Sequence, residues 1–185
     1  MRFDSNGVGI EFIDEGSGPP VVLVHGWPDS GRLWRNQVPA LVGAGYRVIV
    51  PDLRGFGESD APEDVEAYGL TTILGDVLGL LDHLEIPRAH VVGHDWGAAV
   101  VWLLASLAPD RVDHLVALSV GHPGSFRGAG LGQREKSWYM LLFQFAGVAE
   151  QWLSANDWAN FTAWAKHPDH DAVIVEQGRP GRLTA

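Results

Sequence analysis

The chain has no cysteine, which excludes disulfides, cysteine nucleophiles and thiolate metal sites together. Positive charge is scarce: Lys and Arg number 13 against 23 Asp and Glu, for a formal net charge of −10. That balance argues against nucleic acid or an anionic membrane surface as a partner. Long apolar runs are lacking too. The longest, Ala98 to Leu104 and a little beyond, is far shorter than the ~20 residues a membrane span needs. Met1 to Ser5 holds no apolar signal core, so a soluble, cytoplasmic protein is expected. What is present is a core. Apolar residues make up 46% of 185 residues and charged ones 19%, enough for one domain with at most a small appendage and inconsistent with disorder. The sequence shows no internal repeat.

The chain is organised around Val91-Val92-Gly93-His94-Asp95-Trp96-Gly97-Ala98. An apolar strand runs into two glycines that bracket one acid, and an apolar helix follows at once. This is the pattern of a nucleophile elbow, a strained strand-to-helix turn that exposes its middle side chain at the top of a sheet. Asp at the centre selects the chemistry. A carboxylate attacking a saturated carbon yields an alkyl ester that water can cleave, whereas a serine would leave an ether that no nearby base could hydrolyse. Displacement at sp³ carbon, such as opening an epoxide or expelling a halide, is therefore expected. Asp95 would also serve as a plain helix N-cap.

In chain order, Gly9 to Ile13 alternates as a half-buried strand. Val21 to Val24 is an unbroken apolar run, expected of a strand buried on both faces, and it ends in His25-Gly26-Trp27-Pro28. Trp34, Val38 and Leu41 are spaced for one helical face, closed by Gly43 and Gly45. Tyr46 to Val50 is a further strand, leading into Pro51-Asp52-Leu53-Arg54-Gly55-Phe56-Gly57-Glu58-Ser59. The spacing of Leu70, Ile73, Leu74, Val77, Leu78, Leu81 and Leu84 predicts a helix over 68–84. His90 to Val92 is the elbow strand, Trp96 to Ala108 a buried helix and Val112 to Val120 the next strand. Alternation of strand and helix implies an α/β protein with a mostly parallel sheet and helices on both faces. Its ligand site belongs at the carboxyl ends of the strands, where Trp27, Asp95 and Gly121 sit.

After His122-Pro123-Gly124 the pattern changes. Residues 124–132 read as a glycine-rich loop, 136–153 as an amphipathic helix and 157–165 as another. No strong strand signal returns before Ala185. A core over 1–123 and a helical cap over 124–185 follow. Trp138, Trp152, Trp158 and Trp164 are read as packing first and pocket wall second.

The pair His25-Gly26-Trp27-Pro28 and Gly93-His94-Asp95-Trp96-Gly97, with Asp52 to Ser59 between them, resembles the epoxide hydrolases of the α/β-hydrolase fold. The resemblance covers essentially the whole chain. It implies that Asp95 is the nucleophile and that the backbone N–H groups of Trp27 and Trp96 form the oxyanion hole. Trp138 to Gln144 is similar to that family's first cap helix, which implies that Tyr139 hydrogen-bonds the epoxide oxygen and acts as general acid. Tyr139 also fits an ordinary amphipathic position. No metal or cofactor is implied, and the implied partner is a small apolar epoxide-type substrate.

Measured against that family the chain reads as C-terminally truncated. In the family the acid and histidine partners follow the cap, and here they are missing with the last two core strands. Gly178 to Ala185 resembles the segment before the family's second cap tyrosine. Of the eight histidines, His25 and His94 belong to the motifs and brace loops, His83 and His114 lie on a helix and early in a strand, and His167 and His170 belong to the cap. Only His122, at the end of the strand beside the elbow strand, stands near the site as a substitute base. Turnover is therefore doubtful, and self-association through the exposed sheet edge is expected. The alternatives are a haloalkane dehalogenase, which shares the aspartate elbow, and a truncated binding protein without catalysis.

Overall fold

The computed structural model describes residues 1–165. Expectations for His167, His170 and Gly178 to Ala185 lie outside the described residues. Two compact units are present, Met1–Pro123 and a second beginning at Gly124.

The first unit is built on a sheet that has, among the described residues, six strands: β1 (Arg2–Ser5), β2 (Val8–Gly16), β3 (Pro20–Val24), β4 (Arg47–Pro51), β5 (Ala89–His94) and β6 (Val112–Leu118). Their order is β1-β2-β4-β3-β5-β6. β1, β2 and β4 pair antiparallel, whereas β4, β3, β5 and β6 run parallel. The unbroken apolar runs Val21–Val24 and Val48–Val50 lie at the sheet centre and are buried on both faces, as a parallel sheet requires. On one face α2 (Leu70–His83) and α3 (Trp96–Leu107) pack with Val22, Val24, Ile49, Ala89 and Val91 into the larger core cluster. On the other face α1 (Gln37–Gly43) and the 3₁₀ turn Gly31–Trp34 form a smaller cluster in which Trp34 and Val38 meet Val21, Leu23, Val48 and Val50. The chain thus adopts an α/β-hydrolase type of sheet, with helices on both faces.

Several boundaries differ from the sequence reading, each for a physical reason. β1 escapes it because four residues carry too little alternation. α3 is buried along one side only, through Gly97, Ala98, Val100, Val101 and Leu104, while Trp96 and Leu107 are 49% and 64% exposed. An apolar composition all round is therefore not burial all round.

In the second unit residues 124–132 are not one loop. α4 (Pro123–Gly128) occupies most of them, with proline in the first turn where its missing N–H is harmless. The helix expected over 136–153 is divided into α5 (Leu131–Lys136), α6 (Trp138–Leu142) and the start of α7 (Val148–Ala165): Ser137 leaves helical geometry at φ −100°, ψ 18° between α5 and α6, and Gly147 takes φ 79° between α6 and α7. Within α7, Asn156, Asp157 and Trp158 also have positive φ, which breaks the helix in two near the start expected at Asp157. The aromatic residues of this unit pack on one another. Trp164 stands 4.9 Å from Tyr139, 5.9 Å from Phe143, 6.3 Å from Trp152 and 6.4 Å from Trp138, ring centre to ring centre.

Candidate active site

β5 ends at His94, α3 begins at Trp96, and the single residue between them makes the turn. Asp95 sits at φ 53°, ψ −119°, a region that costs an L-residue strain of order 1–3 kcal/mol. The turn is pinned from both sides. Asp95 N–H donates to Leu118 O at 3.2 Å, and Asp95 C=O accepts from the N–H groups of Ala98 and Ala99 at 3.0 and 3.3 Å. A Cβ on Gly93 would overlap the carbonyl of Gly97, and one on Gly97 would overlap the carbonyl of Val24. Both glycines are therefore required by close backbone approach. Although Asp95 occupies the N-cap position, its side chain makes no capping bond. Its Oδ1 instead accepts the Trp27 N–H at 3.0 Å.

Trp27 is delivered by the loop that leaves β3. A Cβ on Gly26 would stand 2.5 Å from that of Asp95, so only glycine lets this loop pass so close. His25 holds it there. Its Nδ1 lies 2.9 Å from Gly26 O, and its Nε2 accepts the Leu53 N–H at 2.9 Å. An acceptor at Nε2 and a donor at Nδ1 define one neutral tautomer. Burial pushes the His25 pKa below its ordinary 6.5, against weaker upward pulls from the Gly26 carbonyl and the charges of Asp52 and Asp95. Phe56 closes edge-on over the ring at 5.5 Å. The Trp27–Pro28 peptide is cis. His94, the other motif histidine, is not a comparable brace: its Nδ1 is buried with no hydrogen-bond partner among the described residues.

The loop after β4 is ordered by Asp52, whose Oδ1 and Oδ2 accept the N–H groups of Gly31 at 2.7 Å and Glu58 at 2.9 Å. Behind it lies a buried network. Arg54 donates from Nε and Nη2 to both carboxylate oxygens of Asp76, at 2.7 and 2.6 Å, and Ser5 Oγ donates to the same carboxylate at 2.6 Å. The hydrogen bond from Arg54 to Asp76 and their opposite charges raise the Arg54 pKa, outweighing burial. Sequence reasoning missed this network. Its members are 22 and 71 residues apart, and neither spacing belongs to a local pattern.

Asp95 and the N–H of Trp27 are thus brought together in the first unit, with Trp96 as the next residue. The N–H of Trp96 is one of the four that a helix start leaves without an intrahelical partner. Tyr139 lies in the second unit, on α6, packed against Phe143 at 5.8 Å as well as Trp164. His122 is exposed beyond β6, with its ring edge-on to Trp102 at 5.2 Å. Among the described residues no group of three or more His, Cys, Asp or Glu could hold a metal ion. Among them also, no helix is long and apolar enough to cross a membrane.

Residues 19–176 match the family model of the alpha/beta hydrolase fold. The chain belongs to the α/β-hydrolase fold family. It is 35% identical to the AB hydrolase superfamily protein YfhM of Bacillus subtilis, over 98% of this chain and 68% of that one. It is 41% identical to epoxide hydrolase A of Mycobacterium tuberculosis, over 83% of this chain and 50% of that one. Among solved structures, epoxide hydrolase A of Mycobacterium thermoresistibile is similar with a TM-score of 0.71 at 40% identity, over 84% of this chain and 51% of that one. A mutant epoxide hydrolase of Bacillus megaterium, complexed with its product (R)-3-[1]naphthyloxy-propane-1,2-diol, is similar with a TM-score of 0.88 at 25% identity, over 100% of this chain and 69% of that one. The chain spans about half the length of the curated epoxide hydrolases it matches.

Proposed function

We propose that this chain carries the nucleophile and the oxyanion hole of an epoxide hydrolase, which opens its substrate through an ester on Asp95. The observation that carries this reading is the 3.0 Å hydrogen bond from Trp27 N–H to Asp95 Oδ1, accepted by an acid that does not cap its helix. With Oδ1 held, Oδ2 is the attacking oxygen. It forms a bond to a ring carbon, the ring C–O bond breaks, and the ring oxygen keeps the electron pair and takes a proton. Tyr139 is the acid assigned to give that proton, on the resemblance of α6 to a cap helix in a unit read as the cap. Oδ1 becomes the carbonyl oxygen of the ester. Water attack then charges Oδ1, and the N–H groups of Trp27 and Trp96 stabilise that charge.

The second step needs a base. His25 cannot be that base, since both of its ring nitrogens are engaged. With no other described residue assigned to the task, hydrolysis of the ester is expected to lag by the roughly 10²–10⁴-fold that a general base contributes. The substrate class proposed is a small apolar epoxide. A similar structure holds an aryl ether diol as product, in keeping with that class.

Incubation with styrene oxide followed by intact-mass measurement tests the reading. One covalent adduct is expected, absent from Asp95→Asn. Steady turnover to diol would instead assign a base within the chain, with His122 the first to replace. Halide release from a haloalkane would favour the dehalogenase reading. A folded chain that forms no adduct and no diol would overturn the proposal in favour of binding alone.

The strand β6, outermost among the described residues, exposes Val116 (47%) and Leu118 (41%), and we read this edge as a surface for a second copy of the chain. Sedimentation should show a concentration-dependent dimer that Leu118→Lys removes. A monomer at all concentrations would sink that reading.

A further inference from the structure

We propose that His90 and His114 form a two-nitrogen site for a divalent transition-metal ion of the copper, nickel and zinc class, away from the reaction centre. The two residues are brought together by an irregularity in the sheet. β5 and β6 pair Ala89 with Val112 and then Val91 with Leu115, so that Asp113 and His114 both stand opposite His90. Such bulges redirect side chains. This one brings His114 Nδ1 to 3.1 Å from His90 Nδ1, with the ring centres 4.9 Å apart and the planes at 50°.

The neighbours leave the pair to itself. Asp113, the other residue of the bulge, is engaged by Arg88 Nε at 2.7 Å, and Arg88 also donates to Val112 O. Tyr46 stands edge-on to His90 at 6.0 Å. Two neutral imidazoles with facing nitrogens share one N–H, one ring giving and the other accepting. A metal ion replaces that arrangement. The donor ring moves its proton from Nδ1 to Nε2, both Nδ1 lone pairs turn to the ion, and the neutral pair releases no proton. With metal–nitrogen bonds of about 2.0–2.1 Å, a 3.1 Å separation corresponds to an angle of about 95–102° at the ion. The lower end of that range approaches the cis angle of tetragonal coordination, which Cu²⁺ and Ni²⁺ favour. Imidazole suits these ions, while Mg²⁺ and Ca²⁺ require oxygen donors that this pair lacks. The net charge of −10 favours any cation, so selectivity rests on the nitrogens. Among the described residues β6 is the outer strand and His114 on it is exposed, which leaves remaining coordination positions open to water. A bound ion ties that strand to its neighbour.

Calorimetric titration of the untagged chain with CuSO₄, NiCl₂ and ZnCl₂ tests this. One Cu²⁺ per chain is expected, bound more tightly than Ni²⁺ or Zn²⁺, with no binding of Mg²⁺. The paramagnetic resonance spectrum of the Cu²⁺ form should show coupling to two nitrogens. His90→Asn and His114→Asn should each weaken binding at least about tenfold, the scale seen even when outer-sphere partners of a ligand are lost. His167→Asn and His170→Asn should leave it unchanged. Equal unfolding midpoints of the metal-free variants and the parent chain establish that the fold is kept. No Cu²⁺ binding by the parent chain, or undiminished binding in both His90→Asn and His114→Asn, overturns the proposal.

Discussion

The N–H of Trp27 and the Oδ1 of Asp95 meet at 3.0 Å across 68 residues of sequence. One carboxylate oxygen is thereby held by the loop after β3, and the groups proposed as nucleophile and oxyanion donor are joined by a direct hydrogen bond. Under the proposed mechanism, this geometry would leave little reorganisation for the reaction itself.

Asp95 holds φ 53° at a cost, and glycine would not bear that cost. Asp95→Gly is expected to keep the fold and to raise stability by about 1 kcal/mol while removing all adduct formation. Urea unfolding together with intact mass checks both halves. A loss of stability greater than about 1 kcal/mol would mean that the turn is held by the Asp95 side chain rather than strained around it.

Gly97 admits no side chain, because a Cβ there would meet the backbone carbonyl of Val24. Backbone cannot swing aside as a flexible side chain can. Gly97→Ala should destabilise the chain by at least the roughly 1–3 kcal/mol of an overpacked core and abolish alkylation of Asp95. A variant with unchanged unfolding midpoint would contradict the close packing of α3 on β3.

The Arg54–Asp76 pair is almost completely buried, at 5% and 4% side-chain exposure. Asp76→Asn leaves a buried guanidinium without its counter-charge and should cost about 3–5 kcal/mol. Asp76→Glu should recover only part of that, since both Arg54 and Ser5 are fitted to the shorter acid. If denaturant unfolding shows Asp76→Asn within about 0.5 kcal/mol of the parent, the network contributes nothing to stability.

His25 is neutral in the fold, and burial keeps its pKa below the ordinary 6.5. Between those two values the unfolded chain binds a proton that the folded chain does not. Stability is therefore complete above about pH 6.5 and declines as pH falls below it, towards the lower folded value. Unfolding midpoints measured from pH 7.5 down to 5 should show this fall. His25→Gln should flatten it, and an equal slope in that variant would assign the pH dependence to other groups.

The elbow and the two loops flanking it were legible because close backbone contact restricts residue type at fixed spacings, as at Gly26, Gly93 and Gly97. The central strands were legible for a different reason: burial on both faces requires unbroken apolar runs. What escaped was set by partners far away in sequence or by local backbone breaks. Arg54, Asp76 and Ser5 carry no common pattern. Apolar periodicity ran on past Gly147, although the backbone turns there. His90 and His114 meet only through an irregular register that no alternation pattern records. Trp96 looked buried by composition, and its place at the outer side of the first turn of α3 exposes half of it.

The two core layers of the sheet differ in size, and local opening follows from that difference. The face covered by α2 and α3 buries far more apolar side-chain surface than the face covered by α1 and the 3₁₀ turn. Amide hydrogen exchange should therefore be fastest through the smaller layer, in a cooperative unit that opens well below the free energy of global unfolding. Trp27 lies on the segment that leads from β3 into that 3₁₀ turn. The donor that holds Asp95 is tied to the layer expected to open first, so loosening the Trp34–Val38 packing should disturb the Trp27 N–H contact before it disturbs the turn at Asp95.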